Sequence, residues 1–193
     1  MSVIVAIKDG GAVYMGADSQ RTTQSSRVDR GFNESYFKIN RLGNGMLVGF
    51  CGSVKCKQIV LSVPNIFTLD KDGQLTKKHI VREIVPRLVE LFDQISDDRG
   101  EADLYIMLAH KNRLYTISAD FSVRCRTYGA SIGAGREFAK YGLYEMTELP
   151  VRERILNALK ESARRTESVS GPYVLIDTKN NQYEVVDLGG ENH

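Results

Sequence analysis

Cysteine and histidine are both scarce in this chain, at 3 residues each among 193. Cys51, Cys56 and Cys125 make an odd set whose spacings fit neither a zinc site nor a redox motif, so free thiols in a reducing cytoplasm are expected. His79, His110 and His193 stand far apart without a partner at ligand spacing, and neither a metal nor another cofactor is expected. Net charge is small too, since 26 Lys and Arg against 24 Asp and Glu leave +2. The basic residues are scattered among acidic ones, with no stripe to hold nucleic acid and no acidic tail. Long hydrophobic runs are missing: the apolar start from Val3 to Ile7 is cut off by Lys8 and Asp9, so neither a signal peptide nor a membrane span is expected. What is present is an ordinary globular balance, 42% hydrophobic and 26% charged. That length fills one domain, residues 1–193, without covalent staples.

Val3 to Lys8 is β-branched and apolar, Asp9-Gly10-Gly11 supplies a turn, and Ala12 to Ala17 resumes the strand pattern, so the chain opens on a hairpin. Ser19 to Ser35 is polar with little periodicity and leads to a short apolar run, Tyr36-Phe37-Lys38-Ile39. After the turn at Gly43-Asn44-Gly45, Met46 to Cys51 reads as a strand. Ser53 can cap a helix that stops near Pro64. Thr76 can cap a second, with Ile80, Ile84, Leu88, Leu91 and Ile95 on one stripe and Pro86 as an internal flaw. Strands are expected at Leu104 to Ala109, Arg113 to Ser118 and Val123 to Tyr128, then helices at about Arg136 to Met146 and Arg152 to Arg165. A closing hairpin joins Tyr173 to Asp177 with Tyr183 to Val186. Strand blocks joined by hairpins and separated by paired helices point to an α+β sandwich of antiparallel sheets covered by helices.

Most sites recognised by a short motif are missing: no Walker-type glycine run, GxSxG elbow or HExxH helix occurs. Gly133-Ala134-Gly135 lacks the third glycine of a dinucleotide fingerprint and follows antiparallel strands, so it reads as a tight turn into a helix. The N-terminus is more informative. With Met1 removed, Ser2 carries a hydroxyl and a free α-amine, whose ordinary pKa of about 7.7 to 8.0 suits a general base. The hairpin returns Asp18 toward Ser2, and Lys38 is a basic residue inside an apolar run. A lysine beside the hydroxyl favours its ionised form, and an aspartate holds that lysine charged and oriented.

These segments together resemble the proteasome β-subunit and HslV-type family of N-terminal nucleophile hydrolases. Ser2-Val3-Ile4-Val5-Ala6 looks like the family's nucleophile strand, and Gly16-Ala17-Asp18-Ser19-Gln20-Arg21-Thr22 like its Asp-Ser-x-x-Thr segment. Phe37-Lys38-Ile39 is similar to its lysine strand, and Val48 to Val54, with Gly52-Ser53 inside, to its strand entering the first helix. Ile132-Gly133-Ala134-Gly135 resembles its Gly-Ser-Gly helix start, and Glu167-x-x-Ser170-Gly171 its Asp-x-x-Ser-Gly.

The resemblance implies a four-layer αββα sandwich and a threonine- or serine-type peptidase. By it Ser2 attacks the scissile carbonyl, its own amine takes the proton, Lys38 eases ionisation and Asp18 positions Lys38. The N–H of Gly52 donates to the oxyanion, a contribution typically worth about 3 to 4 kcal/mol. Thr22 pairs with substrate backbone, Phe50 lines an apolar specificity pocket, and Glu167 and Ser170 support the N-terminal amine. The implied setting is cytoplasmic, with polypeptide substrates, a homo-oligomeric ring, and an ATP-dependent unfoldase as the kind of partner such a ring takes. The departures are Ser2 for threonine, Ala134 for serine and Glu167 for aspartate. No propeptide is expected before Ser2, so removal of Met1 would suffice; while Met1 stays on, the Ser2 nitrogen is an amide and not a base. Two alternatives share these residues: a catalytically inactive ring subunit or scaffold, and an amidohydrolase for small substrates.

Overall fold

The computed structural model describes residues 2–23, 26–28, 37–93, 104–180 and 182–187, with the backbone alone at 21–23 and 26–28. The expected opening hairpin is β1 (Val3–Asp9) and β2 (Ala12–Asp18), registered Ile4 to Ala17 through Asp9 to Ala12. β3 (Arg21–Thr23) and β4 (Ser26–Val28) form a two-stranded ribbon. β5 (Ile39–Arg41) and β6 (Leu47–Gly52) pair across the turn at Gly43 to Gly45. α1 (Val54–Ser62) is capped by Ser53, whose side chain accepts from the Cys56 N–H at 3.3 Å.

The second helical run is less regular than its stripe suggests. Thr76 caps α2 (Lys77–His79) as expected, but Ile80–Ile84 is a π-helical segment, and α3 (Val85–Asp93) follows. Pro86 lies just past the π segment and has no N–H to continue the ladder; the wider turn before it accommodates the ring, and the Val85 N–H bonds Ile80 C=O. Ile80, Ile84 and Leu88 are fully buried, each worth roughly 1.5 to 3 kcal/mol. Ile95 lies outside the described residues.

β7 (Leu104–His110), β8 (Arg113–Ile117) and β9 (Val123–Cys125) complete a sheet ordered β5-β6-β7-β8-β9. The strand expected from Val123 to Tyr128 therefore stops at Cys125. The chain crosses to the other sheet and forms β10 (Gly129–Gly133), which residue type does not announce. Glycine, alanine and serine pack poorly on a pleated surface. Here they permit close approach, since a Cβ on Gly129 would stand 2.7 Å from Ala6 O. α4 (Arg136–Tyr144), α5 (Val151–Arg165), β11 (Tyr173–Asp177) and β12 (Glu184–Val186) follow, and the first sheet runs β10-β1-β2-β11-β12.

Residues alternate along the central strands between two apolar layers. Val3, Val5 and Ile7 face Ala139, Leu143, Ile155 and Leu159 of α4 and α5, while Ile4 and Ala6 meet Leu47, Met107 and Ala109 of the opposite sheet. Met46, Val48, Phe50, Ile106 and Leu108 pack beneath Val60, Ile80, Ile84 and Leu88. The stacking order is helices, sheet, sheet, helices: the expected αββα sandwich. Arg154, buried on α5, donates to Leu143 C=O at the end of α4 and lies over the Tyr128 ring, 5.2 Å from its centroid. A guanidinium at the carbonyl end of a helix is favourably placed. No helix among the described residues is long and apolar enough to cross a membrane.

Candidate active site

Ser2 stands at the entry of β1, held between two strands. Its carbonyl accepts from the Ala134 N–H at 2.8 Å. That approach requires glycine at 133, where φ is +94° and a Cβ would lie 2.2 Å from Ser2 O. On the other side the hairpin returns Asp18, which is 1% exposed. Its Oδ1 accepts from the Val3 N–H at 2.8 Å and its Oδ2 from Lys38 Nζ at 2.7 Å. One carboxylate thus joins the residue after Ser2 to the lysine. Burial pushes the Asp18 carboxyl up from the ordinary aspartate value, and Lys38 and the Val3 N–H pull it back. Both partners are donors, so the arrangement is built for an ionised acceptor.

Lys38 precedes β5, and its carbonyl accepts from the Phe50 N–H at 2.9 Å. Cys51 lies beside the same group, with Sγ 3.6 Å from Ile132 O and 2.9 Å from a Cβ built on Gly133. Burial pushes its thiol up to about 12, so it is no rival nucleophile at neutral pH. Gly52 closes β6, exposed, at φ +124°, a conformation that side chains rarely adopt. It leads through Ser53 into the N-terminus of α1, where helix amides carry partial positive charge.

Other expected residues are placed less closely. Glu167 and Ser170 lie in the connection from α5 to β11; the Glu167 side chain is exposed, and its main-chain carbonyl accepts from Gln20 Nε2 at 3.1 Å. Ser170 is half-buried, whereas Ser168 is buried at 6% exposure. Thr22 sits mid-strand in β3, paired with Arg27. Phe50 is 3% exposed and packs edge-on against Phe67, ring centroids 6.0 Å apart. No group of three or more His, Cys, Asp or Glu side chains that could hold a metal occurs among the described residues.

No protein-family model and no curated protein matches the sequence. Solved structures do match the architecture. BPH from Thiobacillus denitrificans, in complex with epoxomicin, has a TM-score of 0.72 at 16% identity over 91% of this chain and 97% of that one. An Anbu (ancestral beta-subunit) Gly-1 mutant from Hyphomicrobium sp. strain MC1 reaches 0.74 at 14% identity over 99% and 89%. Eukaryotic HslV from Trypanosoma brucei reaches 0.64 at 16% identity over 91% and 98%. The chain has the proteasome β-subunit fold.

Within this proteasome-type fold, a buried carboxylate joins a lysine to the amide of the residue after Ser2, and Gly52 stands at the turn from β6 toward the N-terminus of α1. Such a set can activate a hydroxyl and receive negative charge. Sequence reasoning did not single out the Gln20 side chain or the two backbone amides of Val3 and Ala134. Only Gln20 carried a usable signal, standing two residues after Asp18.

Proposed function

We propose that this chain is a serine-type N-terminal nucleophile peptidase that hydrolyses peptide bonds inside a homo-oligomeric ring. The observation that carries the reading is the Asp18 carboxylate, which links Val3 N–H and Lys38 Nζ at 2.8 and 2.7 Å. Once Met1 is removed, Ser2 Oγ attacks the scissile carbonyl while its α-amine accepts the hydroxyl proton. The tetrahedral oxyanion takes the Gly52 N–H. Collapse forms a Ser2 ester and releases the amine product, which leaves with the proton returned by the α-amine. Water, deprotonated by the same amine, then hydrolyses the ester. Asp18 holds Lys38 charged near the hydroxyl.

Thr22 is assigned to backbone pairing with an extended substrate, which suits its place in the β3–β4 ribbon. Phe50 forms part of the apolar base of the specificity pocket, and Ser170 and Glu167 support the amine. The epoxomicin complex of BPH supports the choice of a trapping reagent. The ring would confine the nucleophile, with an ATP-dependent unfoldase feeding it polypeptide in the cytoplasm. The inactive-scaffold reading draws on Ala134 and on the exposed Glu167 side chain.

One experiment separates the readings. Intact mass should show a chain lacking Met1 that gains one epoxomicin, and Ser2→Ala should abolish both the adduct and cleavage of fluorogenic peptides. Cleavage surviving in Ser2→Ala removes Ser2 from the mechanism; a retained Met1 with no adduct favours the scaffold.

A further inference from the structure

Among the described residues β5 is the edge strand of its sheet, with β6 on one side and no strand on the other. Its inward side is satisfied by β6: Phe50 N–H bonds Lys38 C=O at 2.9 Å and Leu42 N–H bonds Met46 C=O at 2.9 Å. Backbone groups alternate along a strand, so Ile39 C=O and Arg41 N–H point outward. Both are taken by a single phenol. Tyr183, just before β12 in the other sheet, accepts from Arg41 N–H at 3.0 Å and donates to Ile39 C=O at 3.2 Å. A tyrosine hydroxyl is at once donor and acceptor, so it can replace the missing strand at these two groups. Its ring also meets Phe37 edge-on, with centroids 5.0 Å apart. Lys57 of α1 donates to Phe37 C=O. The residues on both sides of Lys38 are therefore fixed from outside their own strand.

We propose that Tyr183 is a positioning residue for Lys38: its hydroxyl locks the edge strand so that the lysine reaches the Asp18 carboxylate and the Ser2 hydroxyl. The closing hairpin, far from Lys38 in sequence, thereby sets the geometry of the nucleophile. This rests on Ser2 being the nucleophile. The Tyr183 hydroxyl meets the β5 backbone and its ring meets Phe37, so a positioning role predicts that its loss acts on the rate of bond formation and leaves ligand affinity unchanged.

The test is epoxomicin adduct formation, followed by mass across pH 6 to 9, in wild type, Tyr183→Phe and Tyr144→Phe. Tyr183→Phe keeps the ring against Phe37 and removes only the hydroxyl. Tyr144→Phe removes a different phenol, which donates to Gly129 C=O at 3.3 Å, and controls for general loss of such a bond. The maximal labelling rate of Tyr183→Phe should fall roughly three- to tenfold, a part of what the two lost hydrogen bonds are worth, at unchanged half-saturating reagent concentration. The acidic midpoint should move upward, because an ammonium held close to the Ser2 amine lowers the amine's proton affinity and a loosened one does so less. Tyr144→Phe should match wild type. A Tyr183→Phe chain with wild-type rate and midpoint, or one slowed only in proportion to its unfolded fraction by thermal melting, overturns the proposal while the Ser2 reading stands. If wild type lacking Met1 forms no adduct, the reading and the proposal fall together.

Discussion

Both oxygens of Asp18 face donors, an amide and an ammonium, and asparagine cannot match that pair because one end of its side chain is itself a donor. Asp18→Asn should therefore set an NH2 group against either the Val3 N–H or Lys38. Breaking a buried pair costs about 3 kcal/mol, which urea unfolding would read, and Ser2 labelling should drop by about a hundredfold. Wild-type stability and labelling in this variant would mean that the carboxylate charge is not used. The return of Asp18 toward Ser2 was legible from hairpin geometry, and its pairing with Lys38 from the family resemblance. The Val3 and Ala134 amides that hold Ser2 were not, since every residue but proline has one. Gly133 belongs between these cases: the glycine is visible, but its reason is a strand passing 2.2 Å from where its Cβ would be.

Helix α4 crosses α5 at Gly142, where a Cβ would stand 2.6 Å from both the backbone nitrogen and the Cα of Ala158. Backbone cannot rotate away as a side-chain tip can, so Gly142→Ala should push the helices apart. The expected loss is about 1 to 3 kcal/mol, read as a lower urea midpoint at unchanged slope. A neutral result would show that the crossing is looser than the structure has it. Elements with strong periodicity, such as the Ile80, Ile84, Leu88 stripe, were legible; their local geometry was not, because the π segment before Pro86 depends on keeping that stripe buried across a missing N–H. β10 failed differently. Gly129 to Gly133 has no apolar alternation, and its strand exists because β1 offers an edge to pair with.

At the scale of the whole molecule, the two sheets bury most residues of β1, β2, β6 and β7, and among the titratable groups caught in this packing is a histidine. His110 ends β7 at 6% exposure, with no partner at Nδ1 among the described residues. Burial, assisted by Lys111, holds its imidazole below the ordinary value of 6.5. The unfolded chain then binds more protons than the folded one, so the stability contribution is full above 6.5 and is lost as pH falls through the folded value. The urea midpoint should drop between pH 7.5 and 5.5, and His110→Asn should reduce that drop. An equal drop in the variant would place the effect elsewhere.

The sequence by itself determined the antiparallel strand blocks with their covering helices, the two hairpins that frame the chain, the caps at Ser53 and Thr76, and the Ser2, Asp18 and Lys38 candidates. Each depends on local periodicity, turn chemistry or charge, which neighbours in sequence express. Only the tertiary structure decided the end of β9, the strand β10, the clamp of Ser2 by Ala134 and the bridging of β5 by Tyr183. Those rest on backbone groups meeting across residues remote in sequence, and a backbone N–H or C=O leaves no mark in the amino-acid code until the fold supplies its partner.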